Sequence, residues 1–132
     1  SSKLLLISTQ YRRMVSLCKR AVEMRDETLM GFVTEAYPIV AFCKQLENKE
    51  RRLMEIMECE ILPDGTRSFR PLFEYQIEEN RIENGKFIVK GSHRRVNAIS
   101  DSLRRRLMEN GMPQEMLVRL AAPLNGRKGQ KK

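Results

Sequence analysis

The sequence predicts a mainly α-helical fold: a small helical bundle carrying one β-hairpin (α+β in detail), with a flexible basic C-terminal tail. Three observations predict it. Residues 2–25 and 39–62 repeat apolar side chains at the spacing of a helix face. Residues 91–111, G-S-H-R-R-V-N-A-I-S-D-S-L-R-R-R-L-M-E-N-G, do the same through Val96, Ile99, Leu103 and Leu107. Between these segments, Asn84-Gly85 separates two β-rich runs, a two-residue hairpin signal.

In the first helix, Leu4, Ile7, Tyr11, Met14, Cys18 and Ala21 keep the three-four rhythm of a bundle or coiled-coil seam. Leu5, Leu6, Val15, Leu17 and Val22 widen that surface, so it suits several neighbours. Leu4, Ile7, Tyr11, Met14 and Cys18 are the candidate interface for a homo-oligomer or a helical protein partner. Asp26 is a cap for a second helix, with Leu29, Phe32, Val33, Ala36 and Tyr37 on its apolar side. Pro38 removes an amide and clashes with the preceding turn, so the chain breaks near Tyr37.

Ile39 to Leu62 reads as helix again, with Val40, Cys43, Leu46, Leu53, Ile56 and Met57 as its apolar positions. Its polar middle, E-N-K-E-R-R from Glu47 to Arg52, is mid-helix or a hinge. Pro63-Asp64-Gly65 is a turn. Phe73, Tyr75 and Ile77 then alternate with Glu74, Gln76 and Glu78, predicting a hairpin of roughly 73–82 against 86–90. A basic helix follows from Ser92, as cap, to Asn110, with Gly111 as its stop. Pro113 opens a short last helix carrying Met116, Leu117, Leu120 and Ala121. Three regions result: a helical assembly region over 1–62, a hairpin with the basic and terminal helices over 63–122 packed with it as one domain, and the tail 123–132.

Composition narrows the function. Hydrophobic content of 41% is globular rather than disordered. The formal net charge is +8, unevenly spread: residues 63–132 carry fifteen Lys and Arg against eight Asp and Glu, while 1–62 are nearly balanced. A positive field of this kind suits an anionic partner. Cys18, Cys43 and Cys59 form no close pair and read as buried free thiols of an intracellular, reducing compartment, nucleus or cytoplasm. The apolar runs, such as Leu4 to Ile7 and Ile39 to Cys43, are far too short for a transmembrane span. No targeting signal stands at the start, and the initial Ser reads as the edge of a piece excised from something longer.

No enzyme motif is present: no phosphate loop, no G-x-S-x-G, no H-E-x-x-H and no calcium loop. The single histidine, His93, has no nucleophile at a diagnostic spacing and no companion ligands, so neither catalysis nor a metal or other cofactor is expected. Glu74, Glu78, Glu79 and Glu83 leave one remote alternative, a small hydrolase or nuclease built on the glutamate-rich hairpin. Their plainer role is to neutralise nearby arginines.

The positive hypothesis is nucleic-acid binding, RNA or DNA with low sequence specificity. Its residues are Lys90, His93, Arg94, Arg95, Arg104, Arg105 and Arg106, with Arg127 and Lys128 in the tail. Guanidinium groups fork onto phosphate oxygens, which positions a backbone without reading bases. Viral nucleocapsid parts and RNA-processing adaptors share that logic as architectural analogues only. The alternative is a scaffold that binds an acidic or helical protein and has no nucleic-acid role.

Overall fold

The computed structural model describes residues 2–124, with side chains from Ile7 onward. Strand makes up 38% of it and helix 35%, and the strands form one four-stranded antiparallel sheet, which overturns the mainly α bundle expected from periodicity. The elements are α1 (Ser2–Lys19), α2 (Asp26–Ala36), β1 (Ile39–Gln45), β2 (Arg51–Ile61), β3 (Arg67–Glu83), β4 (Lys86–Arg95), α3 (Asp101–Glu109) and α4 (Gln114–Ala121). The strands lie in sequence order, β1-β2-β3-β4, so β1 and β4 are the edges.

The largest correction is Ile39 to Leu62, expected as helix and found as β1 and β2. The polar run at its centre is the hairpin turn. The Leu46 N–H donates to the Glu50 carbonyl at 2.8 Å, and Asn48 Oδ1 accepts from the Glu50 N–H at 3.1 Å. Lys49 takes a left-handed conformation (φ 72°) that no helix interior permits. Two buried glutamates disguised the strand. Glu55 and Glu58 are both buried although, three residues apart, they lie on opposite faces of β2, so each interrupts a face that would otherwise read as apolar. The remaining Leu53, Ile56 and Met57 then imitate a helical stripe.

Elsewhere the turn chemistry held. Asp64 accepts from the Thr66 N–H at 2.9 Å and from its hydroxyl at 2.6 Å, closing the β2–β3 turn. Asn84 (φ 53°) and Gly85 (φ 78°) are both left-handed, as a tight primed turn requires. Both hairpin strands outrun their expected lengths. Pro71 lies inside β3, two residues beyond Phe73↔Arg95, the end of the pairing with β4. The expected helix from Ser92 is also corrected: residues 92–95 finish β4, and α3 begins only at Asp101 with Ser100 as its cap. Pro113 precedes α4 and Gly111 (φ 94°) ends α3, both as expected.

The chain divides into two compact units. One comprises the chain up to Val40 with Cys59–Phe69; the other comprises Ala41–Glu58 with the chain from Arg70 onward. In the first, Ile7, Tyr11 and Val15 of α1 and Leu29 and Val33 of α2 are buried. The Tyr11 ring lies 6.4 Å from Phe69, its hydroxyl donates to the Tyr37 carbonyl at 2.5 Å, and Arg67 Nε donates to Thr34 Oγ1 at 3.2 Å.

In the second unit, Leu72, Ile99 and Leu103 form a core closed by Phe73, Leu107, Leu120 and Ala121. Its polar fastening is Glu58, buried on β2. The carboxylate accepts the Ser100 N–H at 3.0 Å and the Ser100 hydroxyl, and that hydroxyl oxygen accepts the Leu103 N–H at 3.1 Å. One serine thus caps α3 and ties it to the sheet.

Ser100→Ala removes the cap and half of the carboxylate's bonding. It is expected to lower stability by about 2 kcal/mol in urea titrations, against within about 0.5 kcal/mol for the exposed Glu109→Ala at the far end of α3. Equal effects at the two positions would show that the Glu58–Ser100 contact carries no special weight.

Candidate interaction surface of the hairpin arm

The outer part of β3 and β4 is an arm whose two faces differ in chemistry because strand side chains alternate. The register runs from Glu83↔Lys86 at the turn through Ile82↔Phe87, Arg81↔Ile88, Asn80↔Val89 and Glu79↔Lys90, then passes a bulge at Glu78 to Ile77↔Gly91 and Tyr75↔His93. One face carries Glu83, Lys86, Arg81, Glu79 and Lys90. Its ions are largely matched within the arm. Arg81 binds Glu79 and also Glu83 at 2.9 Å, and Arg94 reaches Glu78 at 3.3 Å. Arg81 holds the Glu79 carboxyl below the usual range, and the same contacts raise the guanidinium.

The opposite face is apolar and open. Ile82 is 66% exposed, Phe87 45% and Ile77 44%. Toward the base of the arm this face closes over Tyr75, which is buried between the His93 ring at 4.9 Å and the Arg52 guanidinium at 5.0 Å. Gly91 is required here: a Cβ would stand 2.3 Å from the Gln76 carbonyl oxygen and 2.8 Å from the Tyr75 ring.

The expected nucleic-acid residues are dispersed. The Leu53 carbonyl accepts from His93 Nε2 at 2.8 Å, so His93 is committed internally. Arg95 donates to the Leu120 carbonyl at 3.2 Å. Lys90 stands across from Glu79, and Arg94 is paired. On α3, Arg105 and Arg106 are exposed and Arg104 is half-buried, so among the described members of the expected set this short run keeps neighbouring cations at the surface. Arg127 and Lys128 lie outside the described residues, and residues 125–132 hold half of the formal net charge.

Of the expected helical interface, Ile7 and Tyr11 are buried within their own unit, Met14 is half-buried and Cys18 is exposed. The Leu4 side chain lies outside the described ones. The buried stripe is Ile7-Tyr11-Val15, at i, i+4 and i+8, rather than the Met14-Cys18 seam. Only Cys59 of the three thiols is buried; Cys18 and Cys43 are exposed, against the expectation of three buried ones. Two shallow depressions flank Phe73, one lined by Arg95, Met116, Arg119 and Leu120, the other by Leu53, Glu55, Ile56 and His93, and neither lining includes a Ser, Thr or Cys beside the imidazole. Among the described residues, no His, Cys, Asp and Glu cluster in threes as a metal site would, and no helix is long and apolar enough to cross a membrane. No protein family, no curated protein and no solved structure matches the chain.

Ile77, Ile82 and Phe87 were not among the sequence candidates. The signal was there, since the Asn84-Gly85 turn fixes which residues share a face, but only the structure shows that the described residues leave these three exposed.

Tyr11 offers a pH test of the first unit. Burial, with the Cys59 thiol beside it, raises the phenol above its ordinary value of 10.0. A raised acid binds its proton more tightly when folded, so its contribution is complete below pH 10 and is lost as pH rises beyond that. Wild type should therefore lose more stability than Tyr11→Phe between pH 8.5 and about pH 11 in urea titrations. The variant should start about 1 kcal/mol lower, from the missing bond to Tyr37. Parallel losses would place the phenol in water.

Proposed function

We propose that the chain is a non-enzymatic protein-interaction module whose working surface is the apolar face of the β3–β4 arm. The observation that carries this is the exposure of Ile82 beside Phe87, and of Ile77 farther along the same face beyond Asn80 and Val89, while the other face of the same arm balances many of its own charges. An apolar patch rimmed by polar residues is the usual mark of a contact surface. Large apolar side chains there would gain roughly 25 cal/mol for each Å² taken from water.

A second reading, phosphate contact with RNA or DNA through Arg104, Arg105 and Arg106, is favoured by the exposure of the last two on α3. It is the weaker reading because Arg94, Arg95 and His93 are engaged internally.

The test is selection of binders from a random peptide library on the purified chain, with affinities then measured against two folded variants. Ile82→Asp with Phe87→Asp should weaken the selected peptides at least about tenfold, the scale set by two lost apolar anchors. Arg104, Arg105 and Arg106 changed together to Gln should leave them unchanged. If instead only the arginine variant loses binding, and labelled RNA or DNA binds with a steep salt dependence, the phosphate reading replaces this one.

A further inference from the structure

Strand β4 is an edge, and the pattern of its charges says what would add to it. An edge strand exposes unpaired amides and carbonyls that an extended segment can complete. Along β4, Lys86 and Lys90 project from one face with Ile88 between them, while Phe87 and Val89 belong to the other. Both lysines are exposed. The carboxylates across from them on β3, Glu83 and Glu79, are bound by Arg81 of their own strand. Crossing the sheet at this level, the charge runs from acid on β3 to base on β4, and no strand among the described residues takes the next place in the ladder.

We propose that β4 receives an extended segment of a partner protein in which two carboxylates four residues apart, i and i+4, flank apolar side chains at i+1 and i+3. The carboxylates stand across from Lys86 and Lys90. The apolar pair stands across from Phe87 and Val89, and thereby extends the open face that Ile77 and Ile82 begin. Opposite charges directly across a ladder are favourable and like charges are not. That rule disfavours a second copy of this chain. Pairing β4 with another β4 brings lysine against lysine. The other edge, β1, reads I-V-A-F-C-K-Q and has no acid to offer. The proposal rests on the arm being an interaction surface and adds the chemistry and geometry of its partner.

The experiment uses two labelled eleven-residue peptides, one with a Glu-Val-Thr-Val-Glu centre and one with Lys-Val-Thr-Val-Lys. Their binding is followed by fluorescence anisotropy, and hydrogen exchange is followed on the amides of Lys86–Arg95. The acidic peptide is expected to bind at least about fivefold more tightly than the basic one. It should slow exchange along β4, and the preference should reverse on Lys86→Glu with Lys90→Glu, whose fold is checked by circular dichroism. Binding without protection of β4 overturns strand addition and makes the contact electrostatic only. Protection of β4 that grows with protein concentration in the absence of peptide overturns it in favour of a second copy. If neither peptide binds while library-selected peptides still require Ile82 and Phe87, strand addition fails and the apolar-face reading stands. If that requirement is absent as well, both fail.

Discussion

A carboxylate inside a sheet must be answered by hydrogen bonds, and in this protein the answer organises the larger unit. Glu58 lies buried on β2, where an unpartnered charge would be strongly destabilising. The Ser100 amide and hydroxyl meet it, and the same hydroxyl oxygen receives the first free amide of α3. That one contact decides where the chain leaves β4, where α3 starts and how Ile99 and Leu103 reach Leu72. A helix N-terminus also carries partial positive charge, so it is a fitting place to set an anion.

Charge elsewhere is arranged less for reach than for local balance. The net charge of +8 suggested a broad basic surface, yet Arg81 serves two glutamates of its own strand, Arg94 takes Glu78 and Arg95 turns to the end of α4. The exposed ion pairs of Arg81 and Arg94 contribute little to stability, but their glutamates offset part of the local positive charge. What stands open on the arm is an apolar face, with Ile77, Ile82 and Phe87, and beside it the edge of β4 with its exposed Lys86 and Lys90. The interaction reading follows from that remainder.

The parts of the fold legible in the sequence are those ruled by local chemistry. Asn84-Gly85 and Pro63-Asp64-Gly65 specify their turns because few residues accept those backbone angles. Pro38 breaks the chain and Gly111 ends α3 for the same kind of reason. Periodicity was informative for α1 and α2 but misled over 39–62, where Leu, Met and Glu favour helix and the two buried glutamates erase the alternation of a strand. It also misplaced the cap: Ser92 and Ser100 are both plausible by type, and only contact with Glu58 selects the second. For the candidate site, the basic residues were visible as a list, whereas their pairing depended on the β3–β4 register and its bulge.

By itself, then, the sequence determined the turns at Pro63-Asp64-Gly65 and Asn84-Gly85, the stops at Pro38 and Gly111, the presence of a hairpin around Asn84-Gly85 and the excess of positive charge. These depend on single residues and their neighbours. Tertiary structure decided that residues 39–61 form a strand pair, that α3 begins at Asp101, that the His93 ring packs at a tilt against Tyr75, and that Ile82 and Phe87 stay exposed. The physical reason is the same in each case. Whether a glutamate is buried, an arginine is answered or an isoleucine is left in water depends on groups distant in the chain, which local spacing does not encode.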